Sequence, residues 1–230
     1  MTFKLAFKYL LRLILLALLA ISIYLVNLFF MKPFSIDHFL AKETFLEIID
    51  SPESMTYIGI FDKYNWFTGH ASKLTIPSQK QLDRDKAKAR KILDTLRSYD
   101  DENLSSIQRA SKKIAIFDTE NTLLRLETFP FHNYVLNQIG GAHIDMVEFM
   151  TDTHPIRNLT EAEAYIDRVR LFDDVFEGHL YELNGQKAID FYAPKFVYER
   201  VIAQLDEFLN FSFEEHPIYT EFIIKIKDLD

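Results

Sequence analysis

The 230-residue chain is long enough for one domain, or for one domain with an appendage. Hydrophobic residues make up 48% of the sequence and charged residues 26%, a balance that supports a folded core and excludes global disorder. The sequence contains no Cys, which excludes disulfides, thiolate zinc sites, a cysteine nucleophile and a lipidated cysteine within it. Its 21 Phe and only 6 Gly favour a helical protein over a turn-rich β-sandwich.

The formal net charge of −8 is unevenly distributed along the chain. Residues 1–32 contain four of the 26 Lys and Arg residues and none of the 34 Asp and Glu residues, so the remaining chain carries a formal charge of −12. A protein needs a cation for each phosphate that it contacts. The acidic body is therefore a poor candidate for binding nucleic acid.

An uncharged run from Leu13 to Met31 follows the basic N-terminus. As a helix rising about 1.5 Å per residue, its 19 residues span roughly 28 Å, close to the hydrocarbon thickness of a bilayer. A buried core helix is one alternative, but core helices are rarely apolar on every face over this length. A cleaved signal peptide is the other, but the run is long for such a peptide, and its exit from Phe29 to Pro33 contains no small-residue cleavage site. We therefore predict an uncleaved anchor that contacts the bilayer through residues 13–31.

Basic residues flank this run asymmetrically. Three Lys and Arg residues lie within residues 1–12, and only Lys32 follows the run closely. The positive-inside rule therefore predicts a cytoplasmic N-terminus and an extracytoplasmic body, which is periplasmic if the source is Gram-negative. We accordingly divide the chain into a cytoplasmic stub with a single-pass inner-membrane anchor, 1–32, and a helical domain, 33–230.

Helix start and stop signals recur through the body. Ser35 precedes apolar residues spaced near 3.6, and Ser51-Pro52-Glu53 combines an N-cap, a Pro at the first helical position and an acid in the first turn. Thr160-Glu161-Ala162-Glu163 is predicted to form a capping box, with its helix running to Leu183 and stopping at Asn184-Gly185. Further helices are predicted from Ser78 to Tyr99, from Glu102 to Glu127, from Ala193-Pro194 to Leu209, and from His216-Pro217 to Asp230.

No pair of segments in the body reads convincingly as β-strands joined by a turn. The predicted fold class is all-α: an N-terminal transmembrane helix followed by a multi-helix array of long antiparallel helical hairpins. Helices 78–99 and 102–127 form the clearest of these hairpins.

Two segments of the body lack helical periodicity. The loop from Phe61 to Pro77 gathers four aromatic residues, which we expect to pack the loop onto a core, with a binding surface as the alternative. The stretch from Thr128 to Ile156, here called the central stretch, is aromatic, apolar and interrupted by Pro and Gly. We interpret it as a buried centre against which the other helices pack.

None of the seven His residues lies in an H-E-x-x-H motif, and the sequence contains no G-x-S-x-G elbow and no Gly-rich phosphate loop. His143, Asp145 and Glu148 are the nearest approach to a metal-ligand cluster, but His143 and Asp145 are two residues apart and do not share a helix face. Asp173 and Glu177 do share a face, close to His179, and a solvated acidic surface is the favoured interpretation.

Five segments carry a resemblance to a known family by their order and spacing. They are Phe131–Gln138 with the following Gly pair, Phe149 with Thr153–Ile156, Glu163–Ile166 with Arg168, Ala193–Val197, and His216–Tyr219 with Phe222. Together they resemble the large bacterial family known as domain of unknown function 885, over roughly Ser35 to Phe222. His216 departs from the asparagine that this family usually has before the proline.

Members of that family are typically more than twice as long and resemble all-helical zinc peptidases, with H-E-x-x-H in their second half. The resemblance implies that this chain corresponds to the N-terminal half, which forms one wall of a deep substrate cleft lined or supported by the central stretch. The zinc-binding and general-base positions have no counterpart here. We therefore assign no catalytic, cofactor-binding or metal-binding residue, and we expect zinc only with the missing C-terminal half.

Two functions remain open at this point. The first is a membrane-anchored protein that matches the N-terminal half of a zinc-peptidase family and is inactive alone, either as a truncated product or as one chain of a split enzyme completed by a second chain. The second is a non-enzymatic periplasmic helical module that binds a partner.

Overall fold

The computed structural model describes residues 3–227 and Leu229, and all regular structure in them is helical, which confirms the all-α prediction. Met1 and Thr2 of the predicted stub, and Asp228 and Asp230 of the predicted last helix, lie outside the described residues. The α-helices are α1 (Phe3–Phe30), α2 (Ile36–Asp50), α3 (Pro52–Ile58), α4 (Asn65–Thr68), α5 (Gln79–Arg97), α6 (Ser106–Thr128), α7 (Ala142–Glu148), α8 (Leu159–Arg170), α9 (Phe172–Ala188), α10 (Lys195–Asn210) and α11 (Pro217–Lys227). Short 3-10 turns occur at Asp62–Tyr64, His70–Ser72, Asp101–Asn103 and Phe213–Glu215, and a π-helical turn at Phe149–Thr153.

The helices divide into two compact units. The first unit comprises Met1–Glu47 and Arg90–Glu120, and the second comprises Ile48–Ala89 and Asn121–Asp230. Both α5 and α6 therefore contribute to each unit. The separation of an anchor, 1–32, from a helical domain, 33–230, remains a prediction from the sequence.

Over residues 7–26 of α1, every apolar side chain is exposed. Of the described helices, only Phe7–Phe30, with a mean hydropathy of 2.7, is long and apolar enough to cross a membrane. A core helix would bury such side chains, so the exposure argues against the core-helix alternative. Length and composition alone fit both a membrane anchor and a signal sequence.

The end of α1 is fixed by polar contacts within the first unit. The amide of the buried Asn27 donates to the Lys32 carbonyl at 2.8 Å, and its oxygen accepts from the Phe34 backbone N–H at 2.9 Å. The Tyr99 hydroxyl donates to the Pro33 carbonyl at 2.7 Å, and Lys32 Nζ lies 4.3 Å from the centre of the Tyr99 ring. The turn that follows α1 is therefore held in place by the hydrogen bonds of Asn27 and Tyr99.

The predicted hairpin of α5 and α6 is present. Within the first unit, Arg97 near the end of α5 pairs with Glu120 of α6 at 2.7 Å. Lys112 Nζ donates to the Tyr99 carbonyl and to Asp101 Oδ1, both at 2.6 Å, and so closes the connection between the helices. The hairpin packs against α2 through a buried cluster of Ile36, Phe39, Leu96 and Tyr99.

In the second unit, the predicted start of α3 is confirmed. Ser51 Oγ accepts from the Ser54 backbone N–H at 3.1 Å, and Pro52 occupies the first helical position. The helix ends at Gly59, whose φ of +72° lies in the left-handed region that glycine adopts without strain.

The N-cap of α8 is Asn158, so the predicted capping box at Thr160 is wrong. Asn158 Oδ1 accepts from the Glu161 backbone N–H at 3.0 Å, and Glu161 Oε2 accepts from the Arg157 backbone N–H at 2.7 Å. Asn and Thr both cap helices well, and a Glu follows three residues after each candidate. The ion pair between Glu161 and Arg157, at 2.8 Å, favours the earlier start.

The single helix predicted from Thr160 to Leu183 is instead two helices, α8 and α9, which meet at Leu171. Gly185 does not stop α9 but lies inside it. A Cβ atom at Gly185 would lie 2.5 Å from ring carbons of Phe131, so the absence of a side chain allows the central stretch to approach the helix closely.

The central stretch supplies core residues, but the prediction of a buried centre holds only in part, because its Phe129, Tyr134 and Ile139 are exposed. Its Met150 and Ile156 are buried in one cluster with Tyr165 of α8 and Ile218 of α11. The Tyr165 hydroxyl donates to the Ile218 carbonyl at 2.9 Å, which satisfies its only polar group in this apolar surrounding.

The interpretation of the loop aromatics as core residues is wrong for three of the four, while Phe61 is half-buried. Tyr64, Trp66 and Phe67 are exposed, and the loop is held down by the buried His70 and Ala71 instead. The loop folds through two 3-10 turns and α4, and hydrogen bonds within the loop and around the buried His70 fix the backbone, so the aromatic side chains are not needed for packing.

Replacing Gly178 with Ala is expected to destabilise the protein. A Cβ there would lie 2.6 Å from the Pro77 carbonyl oxygen and 2.7 Å from its Cδ. At a solvent-exposed position of a helix, replacing Gly with Ala would stabilise the protein by about 1 kcal/mol. At Gly178 the added methyl group would overpack against the backbone of Pro77, which costs about 1–3 kcal/mol. Urea unfolding of the full chain in detergent measures the difference. Leu180→Ala, on the exposed part of α9, is the control, with a shift within about 0.5 kcal/mol; a Gly178→Ala chain as stable as the wild type would contradict the packing.

Candidate functional site

The central stretch lines a groove of about 560 Å³ in the second unit. The lining is mainly apolar, with the carboxylates of Glu53, Asp145 and Glu182 and the imidazole of His179 among it. The central stretch contributes Asn133, Tyr134, Val135, Gly140, Gly141, Ala142, Asp145, Met146 and Phe149; the segments around α3 and before α5 contribute Glu53, Leu74, Thr75 and Pro77; α9 contributes Val175, His179 and Glu182.

A fully buried arginine, Arg168 of α8, lies among the segments that line this groove. Its Nε donates to the Lys73 carbonyl at 3.0 Å, and Nη2 donates to the Thr56 hydroxyl at 2.7 Å and to the His70 carbonyl at 3.0 Å. Its Nη1 lies 2.7 Å from Nδ1 of the buried His154. Burial lowers the pKa of Arg168 to about 10, so the guanidinium stays protonated at neutral pH.

His154 is held as the neutral imidazole. Because a guanidinium only donates, Nδ1 of His154 accepts from Arg168 and the proton must lie on Nε2, which is 3.3 Å from the Glu161 carbonyl oxygen. Burial, followed by the positive charge of Arg168, lowers the pKa of His154 to about 3. Both ring nitrogens of His154 therefore have partners within the fold, and neither is available to a metal ion.

The Arg168 contacts position the groove lining. The guanidinium bonds to His70 and Lys73, and Leu74 and Thr75, which follow directly, line the groove. The Thr75 backbone N–H and hydroxyl in turn donate to the Glu53 carboxylate at 2.6 and 2.8 Å. The rim of the groove is therefore connected to the buried charge through the backbone from Lys73 to Thr75, with a hydrogen bond to Arg168 at one end and hydrogen bonds to Glu53 at the other.

A π-helical turn shapes the end of the central stretch. It covers Phe149–Thr153 and closes with the His154 backbone N–H donating to the Phe149 carbonyl at 2.9 Å. The ring of Phe149 lines the groove, and the Arg168 guanidinium lies 4.8 Å from its centre. Such single π-turns are frequent at functional sites, because the extra residue redirects side chains.

The groove contains one acid–imidazole pair. His179 Nδ1 lies 2.9 Å from Glu182 Oε2, one helical turn along α9. A carboxylate on Nδ1 orients the ring and leaves Nε2 as the atom available to a ligand. The described residues contain no group of three His, Asp or Glu side chains placed to hold a metal ion. The arrangement can therefore bind and orient a ligand, and it contains no complete catalytic constellation.

Comparison with known proteins identifies the family. The model of the family described as "Bacterial protein of unknown function (DUF885)" matches residues 52–229, most of the chain. This chain belongs to that family. The predicted resemblance to DUF885 is thus confirmed, although residues 35–51, which we included, lie outside the match.

One solved structure is similar to this DUF885 chain. It is the crystal structure of a candidate lipoprotein from Colwellia psychrerythraea, with a TM-score of 0.64 and 21% sequence identity. The alignment covers 77% of this chain and 32% of that chain, so this chain spans well under half of the solved protein. At that identity, the likeness shows the shared fold alone. No curated protein matches the sequence.

The structure separates the residues that the sequence offered as a metal cluster. Asp145 lines the groove, whereas His143 and Glu148 line a second, apolar pocket of about 280 Å³. His143 Nε2 lies 3.2 Å from Gln204 Oε1 of α10. The acids of the other candidate group, Asp173, Asp174 and Glu177, are exposed as expected, while His179 pairs with Glu182, which that group did not include.

Sequence reasoning missed the importance of Arg168 in this DUF885 fold. In the sequence, Arg168 is distinguished only as part of a segment that resembles the family. The available signal was its place in α8, one helical turn after the buried Ala164 and Tyr165 and among apolar neighbours, where an arginine must find partners. Glu53 was interpreted only as a first-turn acid of α3, and its bonds to Thr75 require the tertiary structure.

The stability of the protein is expected to depend on the protonation of His154. The unfolded histidine, with a pKa near 6.5, takes up a proton on acidification, whereas the folded one does so only near pH 3. Stability from this group is therefore complete above pH 6.5 and is lost as the pH falls towards 3, by up to about 1.4 kcal/mol per pH unit. Urea unfolding at a series of pH values should give a shallower acid slope for His154→Gln than for the wild type.

The two proteins differ only at residue 154, so the difference between their two slopes isolates the contribution of His154. Equal slopes in the wild type and in His154→Gln would show that the buried imidazole does not resist protonation.

Proposed function

We propose that this DUF885 chain is a membrane-anchored protein whose second unit forms one wall of the substrate cleft of a metallopeptidase-like fold, without a catalytic centre of its own. The observation that carries the proposal is the groove of about 560 Å³. It is lined by the central stretch, the segment that the family resemblance assigns to a cleft wall. The buried Arg168 network beneath it gives this wall a fixed shape.

Activity in this proposal requires a zinc centre from outside residues 1–230. The sequence contains no H-E-x-x-H motif, and the His179–Glu182 pair in the groove lacks further ligands among the described residues. The alignment to only 32% of the Colwellia chain supports an arrangement in which more polypeptide completes the fold. That polypeptide is either further sequence or a second protein chain.

Exposed apolar side chains support docking of additional protein on the second unit. The central stretch and the region from α8 to α11 contribute ten large ones that are more than half exposed: Tyr134, Ile139, Leu159, Leu180, Tyr192, Phe196, Ile202, Leu209, Phe213 and Ile224. Large apolar side chains left in water mark surfaces that other protein covers when they are contiguous. The same side chains also fit the alternative function, a non-enzymatic periplasmic module that binds a partner through this surface.

Membrane attachment through α1 is the second part of the proposal. The exposure of its apolar side chains over residues 7–26 and its braced exit at Asn27 fit a helix that lipid surrounds. The description of the Colwellia neighbour as a candidate lipoprotein also supports attachment to a membrane. The basic N-terminus supports an extracytoplasmic location for the second unit.

The purified protein, residues 1–230 in detergent, is expected to retain substoichiometric zinc after dialysis, because the residues that the structure describes offer no set of three ligands. Elemental analysis by mass spectrometry measures the metal-to-protein ratio. One zinc ion per chain that survives a chelator would overturn the proposal that the centre lies elsewhere.

Translation of the DNA after the Asp230 codon separates the two functions: an encoded H-E-x-x-H helix supports the completed peptidase fold, and unrelated sequence supports the interaction module.

Charges in the middle of α1 should release the protein from the membrane. Leu16→Arg with Leu19→Arg costs about 2.5–3.5 kcal/mol for each charge at the bilayer centre, whereas Leu16→Ala with Leu19→Ala keeps the helix apolar. Membrane fractionation with carbonate washing should retain the wild type and the Ala pair and lose the Arg pair.

A phosphatase fused after Asp230 should be active outside the cytoplasm in the wild type. N-terminal sequencing should begin at or next to Met1. A mature N-terminus beyond residue 31 would show that the helix is a signal peptide.

A further inference from the structure

The segment from Tyr57 to Phe67 exposes an unusual set of large apolar side chains. Tyr57, Trp66 and Phe67 are 80%, 83% and 80% exposed, and Ile60 and Tyr64 are more than half exposed. The rings of Trp66 and Phe67 lie 5.9 Å apart. These five side chains lie within eleven residues, and we call the segment from Tyr57 to Phe67 the aromatic loop.

The backbone beneath the aromatic loop is fixed, so the exposure is built into the fold. Asn65 Oδ1 accepts from the Ala71 backbone N–H at 3.0 Å, and Thr68 Oγ1 lies 2.7 Å from Nδ1 of the buried His70. The His70 carbonyl accepts from Arg168 at 3.0 Å. A loop held this firmly cannot turn its aromatic side chains inward, and so they are available to an external surface.

The charge of this region suits a phosphate-bearing surface. Between Ser54 and Ser78, the Asp, Glu, Lys and Arg residues are limited to Asp62, Lys63 and Lys73. Asp62 is paired with Arg157 at 2.5 Å, while Lys63 and Lys73 are exposed. The region therefore offers cations beside aromatic side chains, in a chain whose residues after 32 carry a formal charge of −12.

Trp and Tyr side chains are enriched where membranes meet water, because their rings are amphipathic, and Lys side chains there reach lipid phosphates. We propose that the aromatic loop inserts Tyr57, Trp66 and Phe67 into the headgroup region of a phospholipid bilayer. This inference rests on the proposed anchoring by α1, which keeps the second unit close to that bilayer. The loop then provides a second membrane contact, whose favourable free energy comes from aromatic burial and from attraction between Lys and phosphate.

The sequence provides a reporter for this contact, since Trp66 is the only Trp in the chain. The full-length protein is reconstituted in vesicles of phosphatidylcholine and phosphatidylglycerol, with and without lipids brominated on the upper acyl chain. We expect Trp66 emission to shift to shorter wavelength relative to the urea-unfolded chain, to be strongly quenched by brominated lipid, and to be protected from acrylamide. The wild type alone gives this result, so no substitution is needed for the test.

The matched control moves the tryptophan to another exposed aromatic position of the second unit, by combining Trp66→Phe with Phe213→Trp. Phe213 is 70% exposed and lies outside the aromatic loop. Its tryptophan should be quenched by acrylamide and not by brominated lipid. Circular dichroism verifies that the control is folded.

Each other outcome overturns the inference and shows why. If the wild type fails to float with vesicles, the anchoring itself fails. If it floats but acrylamide quenches Trp66 as it quenches the control, anchoring stands and the loop contact fails. Quenching of both tryptophans by brominated lipid indicates unspecific adsorption, and protection of Trp66 from both quenchers indicates that protein covers the loop.

Discussion

The structure of the second unit depends on the buried guanidinium of Arg168. All of its direct hydrogen-bond partners are uncharged: three backbone carbonyls, the Thr56 hydroxyl and the His154 imidazole. Moving a cation out of water costs several kcal/mol unless its donors are all occupied. The positions of those carbonyls are therefore tightly constrained, since a displaced acceptor would leave an N–H unsatisfied in the interior. The carboxylates of Glu53 and Asp62 partly offset the burial by favouring the charged form.

That constraint explains why an irregular region has a defined shape. The segments around Thr56, His70 and His154 belong to a short helix, a 3-10 turn and the end of a π-turn, none of which is stable alone. Arg168 bonds to all three segments, and each has a residue of the groove lining within five positions in the chain: Glu53, Leu74 and Phe149. Rigid binding surfaces need such support, because a site whose backing is loose loses its geometry. The polar centre therefore contributes specificity of shape more than it contributes stability.

The sequence predicts well what is local. Ser51-Pro52 and Gly59 delimit α3 through interactions within a few residues, and the hairpin of α5 and α6 follows from helical periodicity and a short connection. It fails where distant residues decide between similar local signals. By local sequence alone, Thr160 and Asn158 are equally good caps, and the ion pair between Arg157 and Glu161 decides for Asn158. Gly185 likewise predicts a helix stop, whereas in the structure it lies inside the helix and allows Phe131 to pack closely. The bond between Arg168 and His70 joins residues 98 apart in the sequence, and no pattern in the sequence reveals it.

The aromatic loop and the core differ in what holds them. Two apolar clusters in the described part of the second unit have few fully buried members: one around Met150 and Tyr165, and another around Val197 and Val201. Where the clusters are small, apolar surface of the helices stays exposed to solvent, because a layer of helices buries only the face that another layer covers. The exposed side chains of α10 are of this kind, since packing by a further layer would bury them. The loop's side chains stand instead on a backbone fixed by polar contacts and beside exposed lysines. Exposed cations also occur on α10, where the Arg200 guanidinium lies 5.9 Å from the centre of the Phe196 ring, so the feature that sets the aromatic loop apart is its backbone, which polar contacts fix without any further layer of helices.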